Sequence, residues 1–161
     1  MIAHNALNVL TGFDDEAVVP VLIEAMTNAN PRVRVGAVID LGYRRSSANG
    51  VVQSLLNRLA DHDAIVRSAA AISLGKFPSQ ADLIVPALVV CLRDTNSSVQ
   101  ESAAQSLGCF GANAKVAVPQ LVEMVGVLGS GSVAAGALRS IDPVSAERAG
   151  VRPATVMPSF E

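Results

Sequence analysis

Val66-Arg67-Ser68-Ala69-Ala70-Ala71-Ile72-Ser73-Leu74-Gly75 is the stretch on which the fold turns. Its Leu-Gly ending returns at Leu41-Gly42 and at Leu107-Gly108, an interval of 33 residues in each direction. Val33, Val66 and Val99 stand at one step before those leucines, and Val133 stands at the same step before Ile141. The middle of every unit is small: Gly36-Ala37, Ala69-Ala70, Ser102-Ala103 and Gly136-Ala137. Further out, Val19-Pro20, Val52-Gln53, Val85-Pro86 and Val118-Pro119 share a column, followed by Leu22, Leu55, Leu88 and Leu121. Self-similarity at such a period marks a stack of repeated helical units. The apolar spacing within a unit, Val19, Leu22, Ile23 and Met26, then Val33, Ala37 and Leu41, is that of two successive helices.

The turns carry matching signals. Asn30, Asp63, Asn96 and Ser130 precede the second-helix valines and are residue types whose side chains accept from the free amides of a first turn. Pro31 after Asn30 suits a helix start. Pro20, Pro86 and Pro119 are expected in the first turn of their helices, because a deeper proline removes a backbone hydrogen bond. Acidic Asp14, Asp15 and Glu16 before a first helix, and Arg44-Arg45 closing a second, suit the helix dipole.

The grammar Pro-x-Leu, turn Asp or Asn, then Val-Arg-x-x-Ala-Ala-x-x-Leu-Gly resembles the HEAT repeat in its short, phycobilisome-lyase-like form, over roughly residues 2 to 149. The resemblance implies an all-α, right-handed α-α superhelix, a HEAT-like or armadillo-like solenoid. It has about four helix-pair repeats (14–45, 46–78, 79–111 and 112–149) after an N-terminal half-repeat (1–13), with residues 150–161 as an extended or disordered tail. It also implies a ladder between neighbouring repeats, with Asn28, Asp61 and Asp94 in the acid column and Arg34 and Arg67 in the arginine column. Gln100 and Ala134 replace that arginine and Leu128 replaces the acid, so the ladder should weaken toward the C-terminus.

Ile2, Ala6, Leu7 and Leu10 fit the second-helix columns with no first helix before them, which reads either as a degenerate cap or as the cut edge of a longer array. Uncovered apolar surface there would favour self-association or a longer parent chain. The tail around Pro153, Val156, Met157, Pro158 and Phe160 has no helical period.

Half of the residues are hydrophobic (50%) and few are aromatic (3%), as tight helix packing requires, and the net charge is -2. That charge argues against nucleic acid or an acidic membrane as the main partner. No run approaches a membrane-spanning length, and the expectation is a cytoplasmic protein.

Candidate chemistry is thin. Cys91 and Cys109 lack a Cys-x-x-Cys partner or a nearby histidine and read as small apolar residues. Asp61-His62-Asp63 offers metal-capable side chains, but Asp63 is needed as a cap and Asp61 fits the ladder. Gly126, Gly129, Ser130 and Gly131 follow no strand and precede no Gly-Lys-Ser/Thr, so they read as a long turn rather than a phosphate loop. His4 reads as solvent-facing, and Ser68, Ser73 and Ser106 have no general base in view. No catalytic residue, metal site or cofactor is expected.

What remains is a surface. In a stack of this kind the second helices line the concave side. Their non-core stripe is Arg32, Val35, Ile39 and Tyr43, then Ile65, Ser68, Ile72 and Lys76, then Ser98, Glu101, Gln105 and Cys109, and finally Ser132, Ala135 and Arg139. The part contributed by the first two units, Arg32, Val35, Ile39, Tyr43, Ile65, Ile72 and Lys76, is the expected contact for another protein or peptide. Ile39 and Ile72 packing only on each other is the competing reading. The expected function is a non-catalytic scaffold or adaptor. The family resemblance also permits an accessory subunit of a chromophore lyase or maturation factor.

The register makes a direct prediction. Leu74 is a core position of a central unit, so Leu74→Ala should cost about 2–5 kcal/mol by thermal melting. A loss well under a kilocalorie would mean the register is wrong.

Overall fold

The computed structural model describes residues 15–44, 50–126 and 131–151. The half-repeat at 1–13, the N-cap Ser130, Leu128 and the tail from residue 152 lie outside the described residues.

The helices alternate as the period requires. They are α1 (Asp15–Ala25), α2 (Pro31–Arg44), α3 (Val51–Arg58), α4 (Ala64–Leu74), α5 (Ala81–Cys91), α6 (Ser97–Cys109), α7 (Val118–Val125), α8 (Gly131–Ile141) and a short α9 (Pro143–Arg148). Each first helix packs on its own second helix, and the second helices α2, α4, α6 and α8 pack side by side as a continuous spine. The chain is an all-helical α-α superhelix.

Small side chains make that spine close-packed. Ala37, Ala70, Ala71, Ala103, Ala104 and Ala137 are buried between helices, alongside Leu41, Leu74 and Leu107. The glycine of each Leu-Gly pair marks where the next helix comes nearest. A Cβ on Gly42 would lie 2.5 Å from Ser73 Oγ, and one on Gly75 would lie 2.8 Å from Ser106 Oγ. Gly75 has an ordinary right-handed backbone, so close approach and not conformation selects glycine there. Ser73 Oγ donates to the Val38 carbonyl (3.1 Å), and Ser68 and Ser102 join their hydroxyls across α4 and α6 (2.7 Å). Phe77 and Phe110, each two residues past its Leu-Gly glycine, are buried plugs under their repeats.

The turns are capped as their residue types require. Asn30, Asp63 and Asn96 accept from the amides of Arg32, Ile65 and Ser98 at 3.0, 2.8 and 3.0 Å. Two prolines sit deeper than expected. Pro20 and Pro86 lie inside α1 and α5, while Pro119 lies in the first turn of α7. Both interior prolines are exposed, so the carbonyl each leaves without a donor belongs to the wet side of its helix.

Among the described residues the ladder has two full rungs. Arg34 grips Asp61 of the next repeat through Nε and Nη2 at 2.9 and 2.7 Å, and its Nη1 donates to the carbonyls of Asn28 and Ala29 in the turn between its own two helices. Arg67 repeats this on Asp94 at 2.8 Å twice, with Nη1 on the carbonyls of Asp61 and His62. Gln100 keeps only the inner half of the motif, donating to the Asp94 carbonyl at 2.6 Å. The ladder therefore thins toward the C-terminus.

α9 was not legible as a helix in the repeat pattern, yet its signals are local. Asp142 caps it by accepting from the Ser145 amide, Pro143 opens it, and Gly150 follows in a left-handed conformation (φ 78°). The Val151 amide then returns to the Ala146 carbonyl and its side chain is buried, so Gly150 and Val151 close α9 instead of starting an extended segment.

Burial pushes the Asp61 carboxyl up, but the Arg34 guanidinium and the Asp63 amide outweigh it, leaving its pKa lowered. Arg67 lowers that of Asp94 against a smaller opposing effect of burial. A depressed folded-state pKa stabilises the protein above the ordinary aspartate value of about 3.9 and loses that contribution as pH falls below it. Two outcomes are expected in chemical unfolding. Asp61→Ala, which strands a buried guanidinium, should cost about 3–5 kcal/mol at neutral pH. The gap between wild type and the variant should hold from neutrality down to the ordinary carboxylate range and close below it. A gap unchanged at the acid end would mean the rung carries no such linkage.

Candidate partner-binding face

The register delivers the stripe to the surface. Tyr43 is 72% exposed, Ile65 68%, Ile72 43% and Ile39 40%. Arg32 is exposed, while Val35 and Lys76 are half-buried. Lys76 Nζ lies 3.4 Å from the Tyr43 ring centroid, a cation-π contact that ties α2 to the end of α4. The apolar residues of the first two repeats thus share the second-helix side, with Ile39 and Ile72 on adjacent, packed helices. Each isoleucine leaves some two-fifths of its surface open.

The later repeats carry a different surface on the same side. Ser98, Gln105, Cys109, Ser132 and Arg139 are exposed, and Glu101 and Ala135 are half-buried. Between α6 and α8 runs an open groove of about 460 Å³, lined by Gln105, Gly108, Cys109, Val133, Gly136, Ala137 and Ser140. Gly136 faces open space, unlike Gly42 and Gly75. The groove exists where two small residues meet no bulky partner.

Residues considered for chemistry have other employment. Asp61 is bound by Arg34, and Asp63 caps α4. The His62 side chain is 80% exposed, with its ring nitrogens near Arg34 Nη2 and Asp61. Burial pushes the Cys91 thiol up to about 11, which keeps it protonated and a poor nucleophile at neutral pH. Cys109 is exposed, its Sγ 3.6 Å from the Gln105 carbonyl. Among the described residues, no three of His, Cys, Asp and Glu gather as metal ligands, and no single helix is long and apolar enough to cross a membrane.

One feature of the opposite side escaped the sequence reading. Leu83 (60% exposed) and Val90 (74%) flank exposed Pro86 on α5, and Val116 (61%) and Val122 (39%) stand on the following unit. Their spacing, a leucine, then a proline one turn on and a valine one turn further, was visible in the sequence. It was missed because only the second helices were considered as a binding surface.

A family model described as HEAT repeats matches residues 1–75 and 52–142 of the chain. Comparison with curated protein sequences gives no match. Among solved structures, the chain is similar to one in the complex of CpcE and CpcF of phycocyanin lyase from Nostoc sp. PCC7120, with 26% sequence identity and a TM-score of 0.67. The alignment covers 80% of this chain and 55% of that one, so this chain spans little more than half the length of its structural relative.

Proposed function

We propose that this chain, which belongs to the HEAT-repeat family, is a non-catalytic interaction module that holds another protein on its second-helix face. The observation that carries the reading is the exposed set Ile39, Tyr43, Ile65 and Ile72, fixed on packed helices and braced by Lys76. Large side chains on a rigid surface lose little conformational freedom on binding, and aromatic and aliphatic anchors of this kind dominate interface energy. The similar solved structure is itself an assembly of two protein subunits, which supports a protein as partner. The reading assigns no cofactor, and it locates the protein in the cytoplasm, where free Cys91 and Cys109 stay reduced.

A second reading is an accessory role in chromophore attachment, favoured by the likeness to a phycocyanin lyase chain. A change in bilin absorbance on mixing would support it, and an unchanged spectrum would count against it.

The double substitution Ile39→Ser with Ile72→Ser tests the face. Both side chains are partly exposed, so the melting temperature should stay near that of wild type, while affinity for a partner retained by the intact chain should fall about a hundredfold. Binding at wild-type affinity would remove this face as the site.

A further inference from the structure

We infer that a second copy of this chain docks on the outer side of repeats three and four, with α5 antiparallel to the copy's α5 about a two-fold axis at Pro86. This surface lies away from the second-helix face and does not depend on the function proposed for that face.

The apolar residues form two stripes. Leu83, Pro86 and Val90 stand three and four residues apart on α5, while Val116, Pro119 and Val122 keep a similar step along Gly111–Ala117 and α7. All six are exposed. Gly111–Ala117 packs against α5, so the stripes run side by side. Each stripe has a proline at its centre and an aliphatic side chain on either side of it. Turning a copy through half a revolution about Pro86 sets Leu83 against the copy's Val90 and Val116 against the copy's Val122. That is the self-complementarity an isologous contact requires.

Charge follows the same symmetry with its sign reversed. The charged residues of stretches 81–94 and 111–125 are Asp82, Arg93, Asp94, Lys115 and Glu123. Asp94 is held by Arg67, and the other four are exposed. Asp82 opens the α5 stripe and Arg93 closes it one turn past Val90, whose carbonyl accepts from the Arg93 amide. On the neighbouring stripe the order is inverted, with Lys115 first and Glu123 last. The half-turn that pairs the aliphatic residues therefore brings Asp82 to the copy's Arg93 and Lys115 to the copy's Glu123. Lys115 also acts on Asp142, and α9 adds exposed Glu147 and Arg148, one charge of each sign. Asp82 and Arg93 enter none of the ion pairs among the described residues, so their mutual contact carries most of the electrostatic selection. Pro86 has no N–H for the Asp82 carbonyl four residues back, which is a second acceptor for the copy's Arg93.

Size sets the strength of this contact. The face is two helices wide and about 16 Å long from Asp82 to Arg93, which places it among small interfaces, under about 1,200 Å² in total, that associate reversibly. An unrelated partner would require neither the proline-centred order nor the inverted charges. A second copy requires both. Such a dimer leaves the second-helix face of each copy open.

Sedimentation equilibrium of the full chain between about 1 and 100 µM should show reversible monomer–dimer exchange with a Kd on the order of 10 µM. Leu83→Ser with Val90→Ser, both at exposed positions, should raise that Kd about a hundredfold. Asp82→Arg alone and Arg93→Asp alone should each weaken self-association about tenfold. An equimolar mixture of those two variants should dimerise about as well as wild type, because each mixed pair again joins unlike charges at both ends of α5. Misfolded variants would not be rescued by mixing. A chain that stays monomeric throughout, or a dimer untouched by the serine pair, would overturn the proposal. A mixture no tighter than its separate components would overturn the antiparallel two-fold and the proposal with it.

Discussion

The closeness of neighbouring second helices is the constraint on which the rest of the stack depends. At Gly42 and Gly75 the next helix stands where a Cβ would collide with Ser73 or Ser106. The helices can approach only because each leucine of the spine is followed by a residue without a side chain and each facing column is alanine or serine. Close approach brings buried leucines into contact across repeats and lets Ser73 reach the Val38 carbonyl. A single helix pair could bury little of this surface alone, so stability resides in the interfaces between units.

Packing sets the distance between repeats, and the ladder sets their lateral placement. A guanidinium that grips one carboxylate with two nitrogens leaves little freedom to slide, and its third nitrogen holds the turn carbonyls of Asn28 and Ala29. The columns are matched in charge along the chain. Ala3 stands in the arginine column before neutral Asn28, and Gln100 stands before Leu128. Asp61 and Asp94 appear only where an arginine precedes them, which spares the fold an unpaired buried charge.

Much of this was legible because it repeats. The Leu-Gly register, the caps Asn30, Asp63 and Asn96, and the Arg-Asp columns each have copies, so a local signal is checked by its neighbours. Features outside the repeat were harder. Pro20 and Pro86 were displaced from the first turn because α1 and α5 gain residues upstream, where exposed backbone tolerates a missing donor. α9 escaped because it occurs once, although Asp142-Pro143 and Gly150 mark both its ends. The stripe residues were found by subtraction from the core, so their exposure followed from the register. Exposure carries no mark of a partner, and the same subtraction overlooked Leu83 and Val90 on the outer side. Binding is a property of the second molecule as much as of this surface.

Close approach as the reason for the repeated glycine is tested most directly by a paired alanine substitution, read by chemical unfolding. Gly75 and Gly136 both lie on the second-helix spine, but a methyl at Gly75 meets Ser106 whereas one at Gly136 meets nothing within 4 Å. Gly75→Ala should therefore lose about 1–3 kcal/mol through overpacking. Gly136→Ala should gain about 0.5–1 kcal/mol from helix propensity. Opposite signs are the expected result. A Gly75→Ala protein as stable as wild type, or more so, would contradict the stacking of second helices at this distance.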